Sequence, residues 1–290
     1  MELGTFLKCF DSITTSTFFI SLAVKYIKDV SLMKEALKGL YEQLEISSKI
    51  DLTNNDEKSI KKTNENFLGK IEFKNVSFAY PSNPNHYIIN NINFIIKPGE
   101  RIGIIGGSGA GKSTITQLIE RFYDIKEGEI LIDDIPIQNF NLINLRNFIS
   151  FVQQEPVIFK TNVYENIKYG NLNCDKKDIE NISKKCLINC NLNDDLDKLS
   201  AGEKQKIAIA RTLMKKNKIL ILDEATSALD NESEEEIQNL LDNIILDDKM
   251  TVIIIAHKLK TVKKCDRCYQ MKDGKIVVTG TLEEIYKKKL

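Results

Sequence analysis

Residues 102–114 read IGIIGGSGAGKST, and this stretch restricts the fold more tightly than any other in the chain. Arg101 to Gly106 is an apolar run of the length and β-branched character of a buried strand. The glycines that follow permit backbone conformations closed to other residues. After Lys112, apolar residues return at Ile115, Leu118, Ile119 and Phe122, the spacing of one helix face. A strand, a glycine loop and a helix opening on Gly-Lys-Ser-Thr form a cradle of backbone N–H groups at a helix N-terminus, which is the setting that identifies a P-loop. Gly106, Gly107, Ser108, Gly109, Ala110 and Gly111 are expected to wrap a β-phosphate. Lys112 would bridge the β- and γ-phosphates, and Ser113, with Thr114 next to it, would present a hydroxyl to Mg²⁺.

The remainder alternates short apolar strands with helical periods. Strands are expected at 71–80, ending before Pro81, at 89–96, at 219–222 and at 252–256, and helices at 114–123, 176–190, 203–215 and 233–246. Asp273-Gly274 marks a final hairpin turn, and Thr281 with Glu284 caps a last short helix. In ILILDEATSALD the strand delivers Asp223 and Glu224 at its carboxyl end, where ligands bind in open α/β sheets. Asp223 would hold Mg²⁺ through water, and Glu224 would orient or deprotonate an attacking water. His257 ends the next strand in the same way, whereas His86 has no such context and reads as surface. A second helix start lies at Ser200, where Ser200 and Glu203 form a capping box ahead of Ile207, Ala208 and Leu213.

Lys and Arg together number 41, as do Asp and Glu, so no net field favours nucleic acid as a partner. With 290 residues, 42% of them apolar, the chain can bury one substantial core plus an appendage. The appendage is N-terminal. Phe19, Ala23, Tyr26, Val30, Met33, Leu37, Leu40 and Leu44 recur in steps of four and three, a heptad stripe on one long helix from about 12 to 46. Its uncharged part, Ser12 to Val24, is too short and too rich in Ser and Thr to span a bilayer alone, so it reads as a coiled-coil arm or as a membrane helix shielded by neighbours. Residues 51–69 read as a polar linker. Cys9, Cys174, Cys186, Cys190, Cys265 and Cys268 are expected as reduced thiols, with no leader pattern pointing to an oxidising compartment. Cys265 and Cys268 have metal-ligand spacing, and Cys186 and Cys190 would share a helix face. Both pairs also fit ordinary strand and helix patterns.

Taken together, Tyr80 in VSFAYP, GGSGAGKST, FVQQEPVIF, LSAGEKQKIAIAR, ILILDEATSALD and IIIAHKLKT resemble the motif set of the ATP-binding cassette (ABC) transporters, and most resemble the exporter branch. The resemblance covers residues 70–290. It implies an α/β P-loop NTPase cassette with an antiparallel β subdomain and a small helical subdomain, preceded by a long N-terminal helix. It further implies Mg²⁺-dependent ATP hydrolysis that powers transport, in a head-to-tail dimer with a second cassette, as a homodimer or a half-transporter heterodimer. Tyr80 is then similar to the aromatic that stacks on adenine, Gln154 to the glutamine that senses Mg²⁺, and His257 to the switch histidine. Ser200 and Gly202 correspond to signature residues acting on the other cassette's nucleotide, and Asp230 to the residue that communicates across the dimer.

Two departures stand out. Ala201 replaces the signature's first glycine and Glu203 its glutamine, a glutamate that also occurs in the mitochondrial and heavy-metal exporters. Asn191 to Lys198 runs almost directly into the signature, without the GERG-like element of exporters. The segment 1–50 resembles the last membrane helix of an exporter and its extension, whose five companion helices are not in this sequence. The expected location is a membrane, with the cassette on its cytosolic or matrix side. The alternative is a cassette that dimerises on ATP to regulate or scaffold a partner through the heptad arm, without transport.

Overall fold

The computed structural model describes residues 3–45, 50, 66–194, 199–215, 217–226, 229–248, 250–256 and 260–287. The chain divides into two compact units, 1–51 and 52–290.

Among its described residues the first unit holds one helix, α1 (Leu3–Leu44). It starts earlier than periodicity suggests, because the residues before Ser12 contain neither proline nor a capping sequence to stop it. By length and composition α1 can cross a membrane, with an 18-residue stretch of mean hydropathy 1.2. Its Ser/Thr-rich part is less polar than its composition implies. The hydroxyls of Thr14, Thr15, Ser16 and Thr17 donate to the carbonyls of Phe10, Asp11, Ser12 and Ile13 at 2.7–3.0 Å, which satisfies them within the helix.

The second unit begins with β1 (Ile71–Phe78), β2 (Ile89–Ile96), β3 (Arg101–Gly106) and α2 (Lys112–Ile119). It continues through β4 (Glu127–Ile132), β5 (Ile135–Pro136), α3 (Leu142–Phe148), β6 (Ile149–Val152), α4 (Val163–Lys168) and α5 (Lys176–Lys185). It closes with α6 (Ala201–Leu213), β7 (Ile219–Asp223), α7 (Asn231–Asp248), β8 (Thr251–Ala256), β9 (Arg267–Lys272), β10 (Lys275–Gly280) and α8 (Leu282–Lys287).

Two sheets result. An antiparallel sheet runs β2-β1-β4-β5, and a second sheet runs β10-β9-β3-β8-β7-β6. In the second sheet β9, β3, β8, β7 and β6 are mutually parallel, and only β10 is antiparallel. Parallel strands covered on both faces read as continuous apolar runs, and β8 is buried at all six positions. The sheets meet through Phe94, whose ring stacks on Phe73 at 4.4 Å and leans on Tyr269 at 5.2 Å. On the far side, Val163 of α4, Ile179 of α5 and Ile207 of α6 share a buried cluster with Leu220 and Leu222 of β7. These helices form the helical subdomain. Each fully buried Ile or Leu in it contributes about 1.5–3 kcal/mol.

Several helices stop earlier than expected. α2 ends at Ile119 because Arg121 takes a left-handed φ of 51°, which leaves Phe122 exposed. α5 ends at Lys185, with Leu187 left-handed at φ 52°. The hairpin between β9 and β10 turns on Asp273 (φ 48°) and Gly274 (φ 72°), the paired positive φ values of a type I′ turn.

Candidate functional site

The parallel strands end on one edge of the sheet, and each hands over a different group. β3 runs into Gly107 to Gly111, β6 into Gln153 and Gln154, and β7 into Asp223 and Glu224. His257 follows β8 and lies outside the described residues, as do residues 227 and 228 of the DEATSALD stretch.

The loop after β3 depends on two glycines held where side chains do not fit. Gly111 has φ +96°, and a Cβ there would lie 2.7 Å from Ile89 Cδ1. At Gly106 a Cβ would meet the Met271 carbonyl oxygen at 2.5 Å. Gly107 and Gly109, by contrast, look onto open space, so the loop's outer face has room for a phosphate. Gly111 also caps α2 without a side-chain hydrogen bond, leaving first-turn N–H groups for a ligand. Lys112 folds back over the loop, its Nζ donating to the carbonyls of Gly106 at 3.0 Å and Gly107 at 2.9 Å. Burial lowers its pKa, and the negative charges of Glu224 and Asp223 oppose that shift. The two carboxylates and the lysine therefore share one field.

Ser113, Gln154 and Asp223 line a single cleft together with Glu120 and Tyr123. A hydroxyl, an amide oxygen and a carboxylate are hard oxygen donors, a set that suits Mg²⁺. Glu224 takes φ +50°, a left-handed conformation uncommon for a glutamate, and its N–H donates to the Ile255 carbonyl at 3.0 Å. That bond to β8 holds the strained turn in place. The side-chain amide of Gln205, in α6, donates to the Gln153 carbonyl at 3.2 Å. The loop bearing Gln154 is thereby tied to the helix that starts at Ser200, a link with no counterpart in local sequence.

The capping box at Ser200 is present in full. Ser200 Oγ accepts from the Glu203 N–H at 3.3 Å, and Glu203 Oε2 accepts from the Ser200 N–H and hydroxyl at 2.9 Å each. Those bonds from Ser200 hold the Glu203 carboxyl below its ordinary pKa. Ser200 and Ala201 are exposed, whereas Gly202 packs on α7, where a Cβ would sit 3.1 Å from Ser233 Oγ. Asp230 accepts from the Ser233 N–H at 3.2 Å at the start of α7, and its hydrogen bonds with Ser233 lower its pKa.

Tyr80 stands beside α2. Its hydroxyl lies 3.0 Å from Thr114 Oγ1 and donates to Gln117 Oε1 at 2.8 Å, and its ring meets Phe78 and Tyr123 edge-on at 5.0 and 5.2 Å. Sequence reasoning assigned only an adenine contact to this tyrosine and missed the anchoring of its hydroxyl, which Gln117 alone could have signalled. It also missed Glu120, the C-terminal cap of α2, whose carboxyl burial pushes up to about 7 against the opposing charges of Arg146 and Lys215. Among the described residues no group of three or more His, Cys, Asp or Glu side chains forms a metal cluster. Cys186 is buried, and burial pushes its thiol up to about 12.

Comparison with known proteins follows the same outline. The family described as ABC transporter matches residues 89–227. ABC transporter B family member 2 of Dictyostelium discoideum is 37% identical across 98% of this chain. The cassette belongs to the ABC transporter family. ABC transporter B family member 26, chloroplastic, of Arabidopsis thaliana is 39% identical over 87% of the chain. A solved bacterial Atm1-family ABC exporter with ATP bound superposes on 88% of the chain with a TM-score of 0.78 at 30% identity. The chain spans 21% of the Dictyostelium relative, 38% of the Arabidopsis one and 45% of the bacterial exporter. As an ABC cassette it is an ATP-binding module, and the solved relative is described as an ABC exporter.

Proposed function

We propose that this chain is the Mg²⁺-dependent ATPase cassette of an exporter-like protein, with α1 as a membrane helix, and that it works paired with a second cassette. One observation supports the reading: Lys112, Asp223 and Glu224 share a single electrostatic field beyond the carboxyl ends of β3 and β7, two parallel strands with β8 between them. In this reading Lys112 leaves the Gly106 and Gly107 carbonyls to pair with the β- and γ-phosphates. The N–H groups of the loop take the remaining β-phosphate oxygens. Mg²⁺, held by Ser113, Gln154 and Asp223, would neutralise charge on the phosphate oxygens. Glu224, fixed by its bond to β8, orients the attacking water and accepts its proton. The exposed start of α6 offers the dipole and first-turn N–H groups of Ala201 and Gly202 to the γ-phosphate held by the partner cassette. Tyr80 would supply an aromatic ring for adenine, Asp230 would lie at the dimer seam, and His257 would serve as the switch histidine. Membrane helices on this or another chain would take up the work, and the substrate class is not encoded in these residues.

The test uses the full chain in detergent with the Glu224→Gln substitution, which keeps shape and removes the base. Hydrolysis is expected to fall by about 100-fold or more, and sedimentation is expected to show a dimer that forms only with Mg-ATP. Adding Ser200→Arg should return it to monomer. ATP-independent association, or a dimer that ignores Ser200→Arg, would overturn the paired site. Unaltered hydrolysis would overturn the role of Glu224.

A further inference from the structure

Tyr80 stands two residues beyond the end of β1, on the loop that runs to β2, and its carbonyl accepts from the Asn83 N–H at 3.0 Å. A side chain on a loop is free to turn unless something holds it. Stacking on a flat ligand needs only the ring, and a phenylalanine would present the same face. The hydroxyl therefore marks a second task. It has one proton, which it donates to Gln117 Oε1 at 2.8 Å, so at its 3.0 Å contact with Thr114 Oγ1 it accepts and the threonine hydroxyl donates. The result is a directed chain from Thr114 through Tyr80 to Gln117.

Thr114 and Gln117 are three positions apart on one face of α2, so the hydroxyl is gripped at two successive points of a single helix. Thr114 is only 5% exposed, and a buried hydroxyl stripped of its partner costs more than the bond itself contributes. The ring is braced as well, edge-on to Phe78 at 5.0 Å and to Tyr123 at 5.2 Å. α2 is also the helix that opens with Lys112 and Ser113 and has no side-chain cap on its first turn. The chain thus ties the place of an aromatic ring to the place of the phosphate-facing N–H groups through the body of one helix. Two contacts preorganised at a fixed separation favour a ligand that carries a flat base and a phosphate chain at that separation, because the ring is ordered before binding.

We propose that Gln117 and Thr114 are positioning residues for the nucleotide base: they hold the Tyr80 ring at a fixed place relative to the P-loop, and so set how much affinity a purine adds to that of the triphosphate alone. The inference rests on the reading of Tyr80 as the adenine contact, and the test separates the two. The full chain in detergent is titrated to equilibrium with a non-hydrolysable ATP analogue and, separately, with inorganic tripolyphosphate, which offers the phosphates without a base, each with Mg²⁺. The wild type should bind the analogue more tightly than tripolyphosphate, and Tyr80→Ala should erase the difference. A difference that survives Tyr80→Ala would overturn the adenine contact and the proposal with it. Gln117→Leu, and Tyr80→Phe, which keeps the ring, should each weaken the analogue about fivefold, the equivalent of one neutral hydrogen bond, and leave tripolyphosphate unchanged. The two together should weaken it no further than Tyr80→Phe alone, since both cut the same chain. General damage to α2 would move both ligands alike. A parallel loss for both ligands, or an unchanged analogue affinity in both variants, would overturn the positioning role while the adenine contact stands. Tighter binding by Tyr80→Phe would overturn it too, by showing that the chain holds the ring away from the base. If Gln117→Leu does not fold, Tyr80→Phe decides the question alone.

Discussion

α2 and α6 both start at a site suited to anions, and they prepare it in opposite ways. α2 begins after Gly111, at φ +96° and with no side-chain cap, so a ligand must satisfy its first-turn N–H groups. α6 begins with a closed capping box, Ser200 with Glu203, which is satisfied without any ligand. The first start carries its own cation, Lys112, buried and turned onto the loop. Among the described residues no lysine or arginine is hydrogen-bonded to the second start's capping box, and Ser200 and Ala201 are exposed. In the proposed reading, the helix start that folds its own lysine over the loop holds phosphate by itself, whereas the exposed, self-capped start adds to a phosphate held elsewhere. The glutamates of the two helices diverge as well. Glu120 at the end of α2 is pushed up to about 7 by burial, and Glu203 at the start of α6 is held low by Ser200.

The sharpest way to break this contrast is Lys112→Ala. ATP affinity measured by equilibrium titration should fall about 100-fold, the loss of one charge-assisted contact in a desolvated site. Unchanged affinity would show that α2 relies on its backbone as much as α6 does. A smaller effect separates the two glycines. Gly111→Ala should cost about 2–4 kcal/mol, because the left-handed φ and the 2.7 Å approach to Ile89 both oppose a Cβ. Gly202→Ala meets only Ser233, at 3.1–3.2 Å, and should cost below about 1 kcal/mol in denaturant unfolding. Equal costs would contradict the assignment of strain to α2 alone.

The glutamates supply a pH test of opposite sign. Glu120 has a folded pKa near 7 against 4.5 when free, so the folded state retains a proton that the unfolded state releases. That contribution is fully present below pH 4.5 and is lost as pH rises through 7, amounting to at most about 3 kcal/mol. Glu120→Gln should therefore match the wild type in stability near pH 5 and exceed it near pH 8. For Glu203 the folded pKa is depressed, so its contribution holds above the ordinary carboxyl value and fades on acidification below it. A constant gap between Glu120→Gln and wild type across the range would remove burial as the cause. Ser200→Ala is expected to cost about 1 kcal/mol of stability as a lost cap. A still smaller change would show that Glu203 alone satisfies the start of α6.

Legibility in the sequence followed the range of the interactions involved. The P-loop, the capping boxes at Ser200 and Thr281 and the Asp273-Gly274 turn were readable, because each is a backbone conformation set by residues within about four positions of one another. α3 and α4 were not, since at seven and six residues they are too short to show a period. Their only signals were the capping asparagines Asn141 and Asn162, which accept from Asn144 and Glu165 at 3.0 and 2.9 Å. The left-handed residues Arg121 and Leu187, which end α2 and α5, carry no glycine to announce them.

Residue types and local spacing by themselves marked the side chains proposed to meet phosphate and Mg²⁺, from Lys112 and Ser113 to Asp223 and Glu224. Tertiary structure alone decided that Gln154 joins Ser113 and Asp223 in one cleft, that Tyr80 anchors on Thr114 and Gln117, and that Glu120 is buried enough to titrate near neutrality. Hydrogen-bonded turns and caps close within a few residues of chain, so local sequence encodes them. Burial, the dielectric around a charge and the partner of a side chain depend on strands tens to hundreds of positions apart, and they acquire values only when parallel pairing brings those strands together.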